Sequence, residues 1–379
     1  MMDDDDSIPL SFPIPIPKEE VGIIKYLLTS LPISLIHKLR DTGVINILND
    51  IMVSFIGISL LFTKPSLLLD FLTLSKRIKI FKYGNSRQEY LEIFNANINK
   101  NNDNNDNDIN KDILLFVHGG AWGSGKPWMY RSIASGLAKL LNCKKCIVIG
   151  YPVYPYGSIQ DQASCIYESI KYIKNNEKEI LIDDNYDNYD NVNNNYILCG
   201  HSSGSNICAL AILNSIENRD KLKLVETFIG LSGPYDIEKH YLWESARRVH
   251  EISPMKPAAC DINNFYKCSP TILLQRNILT IFGSNNNNNN NNNIEIYEEA
   301  VKRLFPFTVL IHGIQDDIVP YTSTSEFSEQ LTRKKVSNEL IYFNGDHADP
   351  ILDFMKKDST YFKTKLSNFW LRYKKINIC

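Results

Sequence analysis

The sequence has no run of about 20 apolar residues, the length that a helix needs to cross a bilayer. Its 41 lysines and arginines nearly balance 43 aspartates and glutamates, and a net charge of -2 gives no electrostatic reason to expect nucleic acid as a partner. Residues 1–6 are acidic and lack the positive region that begins a secretory signal. No Asn-x-Ser/Thr sequon occurs. These absences favour a cytoplasmic-side protein, either soluble or associated with an intracellular membrane.

Metal-ligand clusters are also missing. Among the eight cysteines, Cys143-x-x-Cys146 has the spacing of half a zinc site, but no second pair and no histidine cluster completes it. We therefore expect a reduced structural pair, and we expect neither a metal nor another cofactor.

What the chain does contain is enough apolar sequence for a large core. Its 379 residues are 44% hydrophobic, which suits one large α/β domain with additions. We divide the chain into an amino-terminal extension, 1–80, and a main domain, 81–379. Polar, asparagine-rich tracts at 97–112, 183–195 and 285–293 cannot bury enough apolar surface to offset the entropy of ordering, so we expect disordered loops there.

The extension carries an apolar run from Ile51 to Phe62, which Lys64-Pro65 ends. One interpretation is a helix that packs on the main domain or covers its pocket. The other is a helix that contacts or anchors to a membrane. The sequence leaves both open.

A short glycine-rich turn between two predicted elements is the most informative motif. Tyr196–Cys199 reads as a buried strand, Gly200–Gly204 follows with the pattern Gly-x-Ser-x-Gly, and Ser205–Leu213 has helical spacing. A strand, this turn and a helix are the context of a nucleophile elbow, in which a strained turn exposes the serine hydroxyl. The motif predicts Ser202 as a nucleophile.

A second glycine turn supplies the groups that such a nucleophile needs. The apolar run Ile113–Val117 ends in His118-Gly119-Gly120, and a glycine pair leaving a buried strand exposes backbone N–H groups. We predict that Gly119, Gly120 and the amide of Ser203 form an oxyanion hole.

The base and its carboxylate follow two later predicted strands. Asp316 and Asp317 come after the run Phe307–Ile311, and His347 comes after the run Glu339–Phe343. A serine hydroxyl needs a base, and a histidine base needs a carboxylate that fixes its tautomer. We predict His347 as general base and Asp316 as the residue that orients it, because the spacing to Val319-Pro320 suits Asp316, although Asp317 remains a rival.

The intervening sequence alternates between strand and helix patterns. Lys145–Gly150 and Glu226–Leu231 read as strands, and Ile159–Lys174 reads as an amphipathic helix. This alternation predicts a mostly parallel sheet that helices cover on both faces. No strand pattern appears over 235–269, which could form a small helical cap above Ser202 or a plain connector.

Five stretches together resemble a known group: His118–Trp122, Tyr151–Ile159, Gly200–Gly204, Leu231–Gly233 and His347–Pro350. At these positions the chain is similar to the α/β-hydrolases that include isoprenylcysteine methylesterases and kynurenine formamidases. The resemblance implies the α/β-hydrolase fold, a catalytic triad that works without a cofactor, and a small apolar ester as substrate.

Three functions stay open at this point. The first is a serine carboxylesterase that hydrolyses a methyl or short-acyl ester, such as an isoprenylcysteine methyl ester. The second is an arylformamidase acting on N-formylkynurenine with the same triad. The third is a catalytically idle α/β-hydrolase that serves as a binding module. The sequence does not indicate an oligomeric state.

Overall fold

A central sheet organises the molecule. The computed structural model describes residues 32–48, 50–51, 65–96, 112–181, 194–275, 290–355 and 360–377. Within these ranges, eight strands form one sheet in the order β1-β2-β4-β3-β5-β6-β7-β8. The strands are β1 (Lys79–Lys82), β2 (Tyr90–Asn95), β3 (Asp112–Val117), β4 (Lys145–Ile149), β5 (Asn195–His201), β6 (Thr227–Leu231), β7 (Phe307–Gly313) and β8 (Asn338–Phe343).

The parallel strands in the middle of the sheet are buried along most or all of their length. Strands β3 to β8 run parallel to one another, whereas β2 pairs antiparallel with both β1 and β4. Every residue of β3, β4 and β6 is buried. Continuous apolar runs suit central strands that are covered on both faces. The predicted strands and the mostly parallel sheet are confirmed, and β1 spans the predicted domain boundary at residue 80.

Helices occupy both faces of the sheet. They are α1 (Ile33–Asp41), α2 (Pro65–Ser75), α3 (Arg131–Leu140), α4 (Ile159–Asn175), α5 (Glu177–Leu181), α6 (Ser203–Glu217), α7 (Ile237–Ala246), α8 (Met255–Ala258), α9 (Pro270–Gln275), α10 (Asn290–Leu304), α11 (Thr322–Arg333), α12 (Asp349–Met355) and α13 (Tyr361–Asn377). Short 3₁₀ turns occur at Pro127–Tyr130 and Ile262–Cys268.

An apolar core lies on each face of the sheet, between the sheet and the helices that cover that face. The core on one face takes side chains from α4, α6 and α11, including Ile166, Ile170, Leu210, Phe327 and Leu331. The core on the other face takes side chains from α3, α12 and α13, including Ile133, Leu137, Phe354, Leu366 and Trp370. Helix α6 therefore lies against the middle of the sheet, which explains why nearly its whole length is buried.

The loop predictions need correction at their edges. Residues 97–111, 183–193 and 285–289 lie outside the described residues. Asp112 and Asn195, however, begin β3 and β5, and the Asn195 amide donates to the Asp112 carboxylate at 3.2 Å. Asn290 begins α10, so residues 290–293 of the asparagine run are helical. The prediction was wrong there because α10 buries Tyr297, Val301 and Leu304, and this packing extends the helix beyond what asparagine itself favours.

The described part of the extension packs on the main domain. The Asn46 amide donates to the carbonyl oxygen of Tyr154 at 2.9 Å, and Asp50 accepts a hydrogen bond from the Gly125 amide at 2.7 Å. Only Ile51 of the predicted apolar run is described, and its side chain is exposed. Among the described residues, no helix has both the length and the apolar character needed to cross a bilayer.

Candidate active site

Ser202 occupies a strained turn between β5 and α6. Its backbone has φ 55° and ψ -127°, a left-handed region that non-glycine residues rarely adopt. The Ser202 amide donates to the Leu231 carbonyl oxygen of the adjacent strand at 2.8 Å, which holds the turn against β6. The residue is 9% exposed. Strain at a sparsely populated conformation is typical of a functional turn.

The glycines around Ser202 are required by space. A methyl group at Gly204 would lie 2.3 Å from the carbonyl oxygen of His118. A methyl group at Gly200 would lie 2.5 Å from the carbonyl oxygen of Gly204. Both contacts involve backbone atoms that cannot move aside, so the Gly-x-Ser-x-Gly pattern reflects close packing between the elbow and the end of β3.

The loop after β3 lies directly beside the elbow. A methyl group at Gly119 would be 3.0 Å from Ser202 Cβ. Gly120 has φ +135°, and Ala121 and Trp122 also have positive φ. The amides of Gly123 and Ser124 donate to the Gly120 carbonyl oxygen at 3.1 and 2.9 Å, which closes the loop into a tight turn. Gly119 is therefore next to Ser202, Gly120 follows it in the same turn, and Ser203 begins α6.

Residues far apart in the sequence support this loop. Asp50 of the extension accepts from Gly125, as described above. The His118 ring stacks on Tyr151, with ring centres 4.3 Å apart. Burial lowers the pKa of His118 to about 4, so this imidazole is neutral near pH 7.

Of the two rival aspartates, Asp316 contacts His347 through its side chain. Oδ2 of Asp316 lies 2.7 Å from Nδ1 of His347. The other oxygen, Oδ1, accepts from the amides of Ile318 and Val319 at 3.0 and 2.8 Å. Burial alone would raise the pKa of the Asp316 carboxyl, but the charge of His347 and the hydrogen bonds of His312 and His347 outweigh burial and lower it. Asp316 is therefore an ionised carboxylate that holds the Nδ1–H of His347.

Two histidines have a larger part in this arrangement than their sequence positions indicated. Nε2 of His312 lies 3.1 Å from Oδ2 of Asp316, and its Nδ1 lies 2.6 Å from the Thr324 hydroxyl. Nε2 of His201 donates to the carbonyl oxygen of His347 at 3.1 Å. His201 precedes Ser202, so this bond ties the His347 loop to the nucleophile elbow. The sequence analysis assigned neither histidine to the site, because a local pattern does not show which atoms lie near a side chain in the folded chain.

The helical segment 235–269 packs over the same end of the sheet. The indole N–H of Trp243 donates to the backbone oxygen of Asp317 at 3.0 Å. The His240 ring meets the Trp122 ring edge-on, with centres 6.2 Å apart. The segment therefore contacts both the Asp316 loop and the loop that carries Gly119 and Gly120, as the predicted cap would.

The cysteine pair lies away from this site. Cys143 and Cys146 are free thiols in the second apolar core, and burial raises the pKa of both. In the described part of the chain, no three His, Cys, Asp or Glu side chains come together in a way that could hold a metal ion.

Comparison with known proteins identifies the fold. Residues 114–266 match a sequence family described as having the alpha/beta hydrolase fold. Carboxyl esterase 2 from the mycorrhizal fungus Tuber melanosporum superposes with a TM-score of 0.55 at 14% identity, covering 79% of this chain and 86% of that one. The chain has the α/β-hydrolase fold. Another structural neighbour, esterase B from Lactobacillus Rhamnosis (HN001), gives a TM-score of 0.53 at 12% identity, over 86% of this chain and 96% of that one.

A curated relative extends the comparison to sequence. The chain is 24% identical over 253 residues to a protein of Oryza sativa subsp. japonica named as a probable isoprenylcysteine alpha-carbonyl methylesterase. The match covers 63% of this chain and 52% of the rice protein, so the chain spans about half the length of that relative.

Proposed function

We propose that this protein is a serine carboxylesterase that hydrolyses a methyl or short-acyl ester of an apolar substrate. The observation that carries the proposal is the 2.7 Å contact between Asp316 and His347, in a loop that His201 ties to the strained turn of Ser202. A carboxylate, an imidazole and a strained serine, each after a parallel strand of the same sheet, support acyl transfer.

Each residue then has a defined chemical role. Ser202 Oγ attacks the ester carbonyl carbon while Nε2 of His347 takes its proton, and Asp316 stabilises the imidazolium that forms. The amides of Gly119, Gly120 and Ser203 stabilise the negative charge on the carbonyl oxygen.

The acyl–oxygen bond then breaks, and the leaving alkoxide takes the proton from His347. A water molecule next loses its proton to His347 and attacks the acyl-serine. This second step releases the acid and restores the Ser202 hydroxyl.

The substrate class is inferred from the relatives. The rice protein is named for a methyl ester of isoprenylcysteine, and both structural neighbours described above are named as esterases. We therefore propose an isoprenylcysteine methyl ester as one substrate.

A hydrolysis panel tests the proposal. Purified protein and Ser202→Ala would be given short and long p-nitrophenyl esters, a prenylated cysteine methyl ester and N-formylkynurenine. We expect the esters to turn over only when Ser202 is present. Preference for N-formylkynurenine would make the protein an arylformamidase instead. A folded protein that neither hydrolyses the panel nor reacts with a fluorophosphonate probe would be a binding module, and the proposal would be wrong.

A further inference from the structure

The amino-terminal extension contacts the glycine loop, residues 119–125, which carries the predicted oxyanion-hole glycines. Oδ1 of Asp50 accepts a hydrogen bond from the Gly125 amide at 2.7 Å. A methyl group at Gly123 would lie 2.9 Å from both side-chain polar atoms of Asn46, which is only 7% exposed. The extension therefore packs against the glycine loop at two places, through the side chains of Asn46 and Asp50.

Gly125 lies directly against the carbonyl group of Gly119. A methyl group at Gly125 would be 2.3 Å from the Gly119 carbonyl oxygen and 2.7 Å from Nδ1 of His118. The φ of Gly125 is +94°, a conformation that favours glycine. Asp50 therefore binds the residue that closes one side of the Gly119 carbonyl group.

His118 holds the same carbonyl oxygen by a hydrogen bond. Nδ1 of His118 lies 3.0 Å from the Gly119 carbonyl oxygen. Because a carbonyl oxygen can only accept, the proton of this neutral imidazole is on Nδ1. The Tyr151 hydroxyl in turn donates to the carbonyl oxygen of His118 at 2.7 Å. These contacts fix the direction of the Gly119 carbonyl group.

The direction of this carbonyl group determines where the N–H of Gly120 points. In a planar trans peptide the C=O and the N–H point in opposite directions, so the Gly120 N–H points away from His118 and Gly125. Among the described residues, this N–H has no hydrogen-bond partner. A methyl group at Gly119 would lie 3.0 Å from Ser202 Cβ. The Gly120 N–H is therefore available to a group bound beside Ser202.

We propose that Asp50 is a positioning residue of the oxyanion hole, so that the extension is a working part of the active site. By holding Gly125 against the Gly119 carbonyl group, Asp50 keeps the Gly120 N–H directed at the ester oxygen on which negative charge develops. This inference rests on the proposed function, because it requires an ester bound at Ser202. A donor that is already oriented stabilises the transition state without reorganising during the reaction.

The role needs the acceptor oxygen of Asp50 and not its charge. A carboxylate near the oxyanion opposes the negative charge that develops there. Nζ of Lys126 lies 3.6 Å from Oδ2 of Asp50, but the Lys126 side chain is 57% exposed, so this ion pair contributes little. Asparagine at this position keeps an acceptor for the Gly125 amide and removes the charge.

Three variants test the role. Asp50→Ala removes the acceptor, and Asp50→Asn keeps one. Asp41→Ala is the matched control, because Asp41 is another carboxylate of the extension and accepts from the Tyr154 hydroxyl at 3.0 Å, outside the glycine loop.

The expected result is a change in kcat and not in KM. Loss of one oxyanion-hole donor lowers kcat about 10²–10³-fold. Because Asp50 acts on the donor through Gly125, we expect Asp50→Ala to lower kcat for a p-nitrophenyl ester by about tenfold or more, with KM within about threefold. Asp50→Asn should recover most of this loss, and Asp41→Ala should keep kcat within about threefold.

Other results would overturn the proposal. These are a kcat loss below about tenfold for Asp50→Ala, a loss that Asp50→Asn does not recover, an equal loss for Asp41→Ala, or a rise in KM without a fall in kcat. If Asp50→Ala does not fold by circular dichroism, Asp50→Leu, which fills the volume of the carboxylate, takes its place under the same criteria.

Crystal structures separate this proposal from the proposed function. If the unmodified protein hydrolyses no ester, the proposed function is wrong, and the peptide between Gly119 and Gly120 then decides the role of Asp50. We expect this peptide to turn in Asp50→Ala, so that the Gly119 carbonyl oxygen leaves hydrogen-bond distance of His118 Nδ1. An unchanged peptide would show that Asp50 does not orient the Gly120 N–H.

Discussion

Replacing Asp316 by asparagine tests the core of the site, because the two carboxylate oxygens have different partners. With its NH₂ at the position of Oδ1, the amide would oppose two backbone N–H groups, those of Ile318 and Val319. With its NH₂ at the position of Oδ2, it would oppose only Nε2–H of His312, which retains the Val319 carbonyl oxygen at 2.9 Å. An unsatisfied buried donor costs about 1–3 kcal/mol, so the second orientation is favoured.

That orientation disables the base. The asparagine NH₂ donates to Nδ1 of His347, so the neutral imidazole carries its own proton on Nε2. Nε2 then cannot accept the proton of Ser202. The wrong tautomer in a serine triad lowers kcat about 10⁴-fold. We expect a loss of this size for Asp316→Asn in p-nitrophenyl ester hydrolysis, with a folded protein by circular dichroism.

Asp317→Asn is the matched control. Its backbone oxygen, which binds Trp243, is unchanged by the substitution, and the contact between Asp316 and His347 is retained, so we expect kcat within about threefold. A loss below tenfold for Asp316→Asn, or a larger loss for Asp317→Asn, would refute the assignment.

Asp316→Asn should also change how the free energy of unfolding depends on pH. The pKa of Asp316 is lowered in the folded protein from 3.8, so its ionisation stabilises the fold above about pH 4 and this contribution is lost as the pH falls through the folded-state value. Urea unfolding of Asp316→Asn should therefore differ most from the unmodified protein at neutral pH and least in acid. A difference that does not change with pH would contradict this account of Asp316.

Two further predictions concern packing and pH. Gly204→Ala places a methyl group 2.3 Å from the His118 carbonyl oxygen and should lower the free energy of unfolding by about 3 kcal/mol or more. The neighbouring change Ser203→Ala should leave stability unchanged, because the buried Ser203 hydroxyl has no hydrogen-bond partner among the described residues and the backbone amide remains. Equal urea midpoints for the two variants would contradict this prediction. Burial lowers the folded-state pKa of His118 to about 4 and of His201 and His240 to about 3, so all three are neutral in the folded protein near pH 6. Their contribution to the free energy of unfolding is complete above pH 6.5 and falls by about 1.4 kcal/mol per pH unit for each group as the pH falls. The raised pKa of Glu244 partly offsets this loss. His240→Asn should reduce the slope of the unfolding free energy against pH between pH 6 and 5 by about 1.4 kcal/mol per pH unit, which corresponds to one proton. An unchanged slope would show that His240 is not neutral in the folded protein.

Local patterns were enough to predict the six parallel strands β3 to β8, whereas the antiparallel strands β1 and β2 were not predicted. Apolar runs such as Ile113–Val117 and Phe307–Ile311 gave the central strands, because a strand covered on both faces has no polar side. The turn around Ser202 was predictable because its glycines, its strand and its helix are adjacent in the chain. Asp316 was preferred over Asp317 from spacing alone, and it remains a prediction that Asp316→Asn and Asp317→Asn test.

Packing decided what local patterns could not. The first turn of α10 consists of asparagines, whose composition favours a loop. The turn is nevertheless helical, because the apolar side of the turns that follow packs against the core. Asp112 likewise lies in a tract that reads as a loop, but it is buried at the start of β3 beside Asn195.

The amino-acid sequence by itself determined the parallel strands β3 to β8, the turn at Ser202 and the residue types at three strand ends, because these depend on residues within a few positions of one another. Only the tertiary structure decided that His201 holds the loop of His347, that Asp50 supports the glycine turn, and that His240 and Glu244 face inward. Such contacts join segments far apart in the chain, and their free energy comes from burial, which no local pattern reports.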